Sequence, residues 1–384
     1  MRRVYLDYNA TAPIRQEAAE AVVRALAVGG NPSSVHAAGR AARALVEDAR
    51  TTVARLAGAE AEDIVFTSGG TEANALAIES AVASGKVTRL IVSAIEHDST
   101  LETARATGLP LEVLPVGEDG VIDLGWLEQR LRAWAAEDGR PFLALMLANN
   151  ETGVIQPVPQ AAALLRARDG LLHVDAVQAA GKLNLDIEQL GADTLALSAH
   201  KLGGPQGVGA LAFTRRAAVH RRLHGGGQER GLRGGTENVG GIAGFGAAAD
   251  VALRDLSGVA AQAVWRDAAA ARLKGAGAFV AGEAAPCVPN TLCIAVEGWA
   301  SALQVMALDL EGVMVSAGSA CSSGKVKPSP VLAAMGYGAL ADGSLRASGG
   351  WATTQEDWMR FADVWLAAHA RHVARHAPRQ REFA

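Results

Sequence analysis

Aromatic side chains make up only 4% of the 384 residues, and cysteine occurs three times. The three, Cys287, Cys293 and Cys321, form an odd and widely spaced set with no CxxC pair. Such a set builds neither a disulfide framework nor a zinc knuckle, and no metal centre is expected. No apolar run approaches the roughly 20 residues of a membrane span. The N-terminal stretch MRRVYLDYNATAP has two arginines but no apolar core of signal-peptide length. A large charge of one sign is also missing: the formal net charge is −4, which leaves no global footprint for nucleic acid or an anionic membrane. No internal repeat or low-complexity tract is present. The expectation is a reduced, soluble, cytoplasmic protein with no nucleic-acid and no membrane partner.

What is present is apolar material in quantity, 49% of the chain, enough for about two or three structural units. DIVFTS, RLIVSA, FLALMLA, LLHVDA, TLALSA and VGALAF read as buried strands bounded by polar or glycine punctuation. Between them QEAAEAVVRALAV, GRAARALVEDARTTVARLAG and DLGWLEQRLRAWAAE carry apolar residues at helical spacing. Strands without strict alternation, separated by helices, predict an α/β fold with a mainly parallel sheet flanked by helices. After about residue 240 a long Ala-rich helical segment follows, then strands at TLCIAV and GVMVSA. A capping box from Thr353 to Glu356 is expected to open the last helix, with Trp358, Phe361, Ala362, Trp365 and Leu366 on its packed face. This texture divides the chain into a large domain, 1–255, and a smaller α+β domain, 256–384. Residues 1–15 can join either.

Ligands of open α/β sheets sit beyond the carboxyl ends of the strands, and four polar clusters follow apolar runs there. In TSGGTEANALAI, Gly70 and Thr71 lead into a helix whose free N–H groups and dipole suit a phosphate; an ordinary glycine turn would look similar. In HVDAVQAAGK, Asp175 closes a strand and Gln178 lies three residues on. That carboxylate can pair with a protonated ring nitrogen or simply cap the next helix. In LALSAHKLGGPQG, Lys201 closes a strand beside Ser198 and His200, placed either as an imine-forming amine or as a surface lysine. SAIEHDST places His97 just after another strand, as a catalyst or as a core or cap residue. A phosphate cradle, a carboxylate, a histidine and a lysine at strand ends are together the parts that hold pyridoxal 5'-phosphate.

These stretches, with YLDYNATAP, GNPSSVH, LANNETGVIQPV, GGGQERGLRGGTENV and SAGSACSSGKVKPS, resemble the cysteine desulfurases of the class V aminotransferase superfamily. The likeness is closest to the branch of bacterial housekeeping and nitrogen-fixation enzymes, and it runs in order from about residue 4 to residue 350. It implies a homodimer of fold type I with pyridoxal phosphate held by Lys201, which also moves protons at the substrate Cα. Asp175 would pair with the pyridine nitrogen, Gln178 would contact the ring hydroxyl oxygen, and His97 would stack on the ring and could carry a proton. Gly70, Thr71, Ser198 and His200 would bind the phosphate, with Thr236 reaching it across the dimer interface. Asn150 and Arg346 would hold the carboxylate of L-cysteine. Near Arg346 the chain has Gly349 where the family usually has leucine.

The resemblance further implies that the Cys321 thiolate attacks the substrate sulfur, keeps it as a persulfide and releases L-alanine. A sulfur-acceptor protein such as an iron–sulfur scaffold would then receive it. Lys325 and Lys327 would favour the thiolate or merely keep the loop solvated. A related pyridoxal-phosphate lyase or aminotransferase with an incidental Cys321 shares Lys201 and Asp175. A non-catalytic sulfur-relay or binding protein would be expected to have lost the lysine or the cysteine, and both are here. GFGAAA at 244–249 fits a dinucleotide-binding pattern but follows no strand, so close helix packing is the expectation. His369, His372 and His376 share a helical face and are read as partly exposed surface, and Cys287 and Cys293 as packing residues.

Overall fold

The computed structural model describes residues 3–318 and 327–376. Seven strands form the main sheet, in the spatial order Ile64–Thr67, Gly209–Phe213, Thr194–Ser198, Leu171–Asp175, Phe142–Met146, Leu90–Ser93 and Leu111–Leu114. Neighbours pair in parallel except around Gly209–Phe213, which runs against both Thr194–Ser198 and Ile64–Thr67. All six expected apolar runs are strands of this sheet, and five of them are buried at every residue. That is what helices on both faces of a parallel sheet require. The seventh strand, Leu111–Leu114, is a half-exposed edge with Glu112 in it, and its short LEVL pattern is too polar to stand out from loop.

A second apolar cluster joins Leu292, Ile294, Trp299, Leu308 and Leu345 with Val4 and Leu6 from the other end of the chain. It lies on a four-stranded antiparallel sheet ordered Ser316–Ala317, Ser344–Ser348, Thr291–Ala295 and Phe279–Val280. The expected strand at GVMVSA is two: Val313–Met314 pairs with Val4–Tyr5, and Ser316–Ala317 pairs with Ser344–Ser348. The closing helix, Gln355–His376, buries Trp358, Phe361, Ala362 and Trp365 in this cluster, with Leu366 partly buried against it. Its cap sits one residue later than the sequence suggests. Thr354 Oγ1 accepts from Asp357 N at 3.3 Å and Asp357 Oδ2 accepts from Thr354 N at 3.0 Å, while Thr353 Oγ1 accepts from Gly350 N.

The Ala-rich segment is one helix of 36 residues, Val239–Lys274, running through residue 255 without a break. Ala248, Ala249 and Ala252 pack in the apolar cluster around the main sheet, with Val174, Leu195 and Leu197, and Ala269 and Leu273 pack in the second. GFGAAA lies inside this helix. A Cβ at Gly246 would lie 2.7 Å from Ala49 Cα, and one at Gly244 would lie 2.6 Å from Pro205 and 2.7 Å from Val22. The glycines there serve helix packing. Among the described residues no helix is long and apolar enough to cross a membrane.

Candidate active site

The carboxyl ends of the parallel strands open into a cavity of about 280 Å³. Gly70, Thr71, His97, Asn150, Asp175, Gln178, Ser198, His200, Lys201 and Arg346 all line it, ten residues that the sequence analysis singled out. Each arrives for a local reason. Asp175 ends Leu171–Asp175, and its Oδ1 accepts from Val177 N at 2.9 Å. Lys201 closes the helical turn Ala199–Lys201 directly after Thr194–Ser198. His97 caps the helix Asp98–Ala106, its Nδ1 accepting from Ser99 N at 3.1 Å. A backbone N–H only donates, so the neutral ring carries its proton on Nε2. His97 is both cap and cavity residue.

The helix Gly70–Ala83 starts at the cavity, and no side chain caps it at Gly69. A Cβ at Gly70 would lie 2.7 Å from Val177 Cγ2 and 3.5 Å from Ser198 Cβ, so glycine is what leaves the cradle open. Beside it stand the hydroxyl groups of Thr71 and Ser198 and the imidazole of His200, whose pKa burial lowers to about 4, with Lys201 adding to the effect. Helix start, hydroxyls, amine and carboxylate in one cradle fit pyridoxal phosphate.

The remaining wall comes from the chain's N-terminus, which the sequence analysis did not assign to the site. Lys201 Nζ donates to the carbonyls of Asn9 and Ala10, at 2.6 and 2.9 Å. Gln178 Nε2 donates to the same Asn9 carbonyl at 2.9 Å. Beneath them Lys182, itself buried, donates to Asn9 Oδ1 and Gln178 Oε1, both at 2.8 Å. Burial first, then the nearby charges of Lys201 and Arg346, lowers its pKa well below the lysine range. Arg346 is buried on Ser344–Ser348; Nη2 donates to Asp7 Oδ1 at 2.8 Å and Nη1 to the Asn150 carbonyl at 3.0 Å. Gly349 takes part in that local frame: its N–H donates to Asn290 O and its carbonyl accepts from Asn290 Nδ2.

Asp175 is supported from below by residues that were also missed. Asn74 Nδ2 donates to Asp175 Oδ2 at 2.8 Å, and Asn74 Oδ1 meets His173 Nε2 at 3.0 Å. His173 Nδ1 meets Thr194 Oγ1 at 2.9 Å. The carbonyl of Asn74 can only accept, so His173 is protonated at Nε2 and accepts from Thr194 at Nδ1. Burial lowers its pKa to about 4. The signal for this network was His173 itself, a polar residue inside an apolar strand.

One described residue that the sequence analysis singled out for the site does not line its own chain's cavity. Thr236 is exposed and lines a separate hollow with Ser68 and Glu237. The loop before it is held by Arg50, whose fork donates to the Glu229 carboxylate at 2.7 and 2.9 Å, and by Arg233 on Glu72. Cys321 and Lys325 lie outside the described residues; Lys327 is exposed. Cys293 is buried on Thr291–Ala295, where burial pushes its thiol pKa up. Cys287 is half-buried, its thiol directed at the carbonyls of Gly282 and Ala285. His369 and His372 stack on Trp299.

Residues 4–361 match the family model of aminotransferase class-V. Cysteine desulfurase IscS of Dictyoglomus turgidum is 39% identical over 376 residues, covering 94% of this chain and 93% of that protein. A cysteine desulfurase of Cereibacter sphaeroides is 41% identical over 373 residues, with 95% of each chain covered. The crystal structure of a NifS-like protein from Rickettsia africae superposes with a TM-score of 0.88 at 30% identity, over 96% of this chain and 100% of that one. With that sheet, that cavity and these relatives, the chain belongs to the class-V aminotransferase family, within its cysteine desulfurases.

Proposed function

We propose that the chain removes sulfur from L-cysteine, releasing L-alanine and leaving a persulfide on Cys321 for an acceptor protein such as an iron–sulfur scaffold. The observation that carries this reading is the convergence of Lys201, Asp175, His97 and the start of helix Gly70–Ala83 on one cavity. Pyridoxal phosphate, when bound, supplies the electron sink that makes the substrate Cα–H acidic. Gly70, Thr71, Ser198 and His200 would hold its phosphate, Asp175 its ring nitrogen, Gln178 its ring oxygen, and His97 its face.

Lys201 would hold the group and move the proton at the substrate Cα; the carbonyls of Asn9 and Ala10 aim its amine. Arg346 offers a planar fork to the substrate carboxylate, which must compete with Asp7 and the Asn150 carbonyl for the same N–H groups. The Cys321 thiolate attacks the substrate sulfur, forming an S–S bond as the C–S bond breaks. The C–S electron pair stays on the substrate, which takes up protons and leaves as L-alanine. Purified protein given L-cysteine is expected to gain one sulfur atom on the Cys321 peptide by mass spectrometry, and Cys321→Ser protein none. Persulfide formation at the normal rate in the serine variant would sink the mechanism.

A homodimer is proposed on two supports: Val23 and Leu26 are exposed on helix Gln16–Val28, and Thr236 sits outside its own chain's cavity. Sparse cysteines, with Cys287 and Cys293 free among the described residues, suit a reducing compartment, the cytoplasm. The division into domains 1–255 and 256–384 is proposed as well, supported by the two apolar clusters. Val4 and Leu6 in the second cluster favour grouping the N-terminal segment with the smaller domain.

A further inference from the structure

One buried carboxyl group stands next to the cavity without lining it. Glu151 follows Asn150 in the turn after strand Phe142–Met146 and is only 3% exposed. The Asn149 side chain fixes that turn, its Oδ1 accepting from Glu151 N and Thr152 N, both at 2.9 Å. The Glu151 carboxyl reaches the two places where the Cys321 segment joins the fold. On the far side, Ser329 Oγ donates to Glu151 Oε2 at 2.5 Å and accepts from Leu332 N at 3.0 Å. On the near side, Gly318 is so close that a Cβ there would lie 2.7 Å from Glu151 Oε2 and 2.7 Å from Ser344 Oγ. Residues 318 and 329 bracket Cys321 in sequence.

We propose that Glu151 is a positioning residue for sulfur transfer: its carboxyl group ties the far end of the Cys321 segment by hydrogen bond and seats the near end by close packing at Gly318, both against the turn that carries Asn150. The thiol then starts its approach from points set relative to the substrate wall. This inference rests on the reading of Cys321 given above. Ser329 is fully buried and caps the helix Pro330–Ala334. Gly318 follows Ser316–Ala317, whose Ser316 is in register with Arg346. Arg346 in turn holds the Asn150 carbonyl, so substrate wall, far end and near end meet around one carboxyl group, the first two by hydrogen bonds and the last by packing. Burial pushes the Glu151 carboxyl pKa up, while the Ser329 hydroxyl and the charge of Arg346 oppose that shift. Ser329 needs only an acceptor oxygen there, which a neutral amide of the same shape supplies.

The test uses the full chain loaded with pyridoxal phosphate and separates two half-reactions. Exchange of the Cα hydrogen of L-alanine with D2O needs Lys201 but no thiol; persulfide formation on Cys321 needs both. Glu151→Ala is expected to slow persulfide formation by about tenfold or more and to leave alanine exchange within about twofold. Glu151→Gln, which still accepts from Ser329, is expected to stay within about threefold of the parent on both. Gly318→Ala, which drives the carboxyl away from its seat, should reproduce the Glu151→Ala pattern even if that variant folds poorly. In protein without cofactor, backbone hydrogen exchange is expected to rise in Glu151→Ala at peptides covering 313–318 and 327–332, with Leu171–Asp175 unchanged. Parallel loss of both half-reactions, or no loss of either, overturns the proposal. If the parent protein forms no persulfide on Cys321, the desulfurase mechanism falls, and hydrogen exchange at the two ends alone decides whether Glu151 anchors them.

Discussion

Asp175 is held at the cavity by side chains that lie far from it in sequence. Thr194, His173 and Asn74 form a chain of hydrogen bonds ending on its carboxylate, and the central imidazole is buried and neutral. An unfolded histidine takes up a proton below about pH 6.5, whereas His173 resists until about 4. Its contribution is thus fully present above pH 6.5 and is lost as pH falls toward 4. Within that window it lowers unfolding free energy by about 1.4 kcal/mol per pH unit. Urea unfolding of cofactor-free protein at pH 7, 6 and 5 is expected to show a steeper loss in the parent than in His173→Gln. Equal slopes would mean that the imidazole titrates normally. His173 was visible as a polar residue in an apolar strand, but Asn74, 99 positions away, was not. Nothing local distinguishes that asparagine from a helix surface residue.

At the scale of elements, the pattern of apolar runs carried most of the information. Strands buried on both faces need continuous Val, Leu, Ile and Ala, and that composition is legible wherever it occurs. Leu111–Leu114 escaped because an edge strand is half wet, and GVMVSA read as one strand because sequence does not show a change of partner. The helix Val239–Lys274 is marked by its alanines, yet only its neighbours explain its glycines. Gly246→Ala is expected to cost about 1–3 kcal/mol, since a Cβ there meets the backbone of the facing helix rather than a movable side chain. A lowered Tm by circular dichroism with unchanged far-ultraviolet signal checks it. No change in Tm would show that helices Ala37–Ala57 and Val239–Lys274 can part without cost.

For the whole molecule the open question is how many chains make one site. Thr236 lies outside the cavity of its own chain, and an exposed apolar pair, Val23 and Leu26, is available for contact. If Thr236 serves a partner's phosphate cradle, Thr236→Ala should weaken pyridoxal phosphate binding by about tenfold, or 1.4 kcal/mol, in an absorbance titration. Mixed dimers of Thr236→Ala and Lys201→Ala chains decide the geometry. A threonine acting across the interface leaves one intact site per mixed dimer, which restores the parent's visible cofactor band at about half amplitude per dimer. A threonine acting within its own chain leaves none.

The amino-acid order by itself determined the parallel sheet, the start of a helix at Gly70 and Thr71, and the strand-end positions of Asp175, Lys201 and His97. These depend on runs of a few residues and on where such runs stop. Only the tertiary structure decided that the N-terminus forms a wall of the site. Asp7 meets Arg346 across 339 positions, and Asn9 accepts from both Lys201 and Lys182. Only the tertiary structure likewise set Glu151 between the two ends of the Cys321 segment. A hydrogen bond between distant residues is chosen by how packed elements cross, and no local pattern records that crossing.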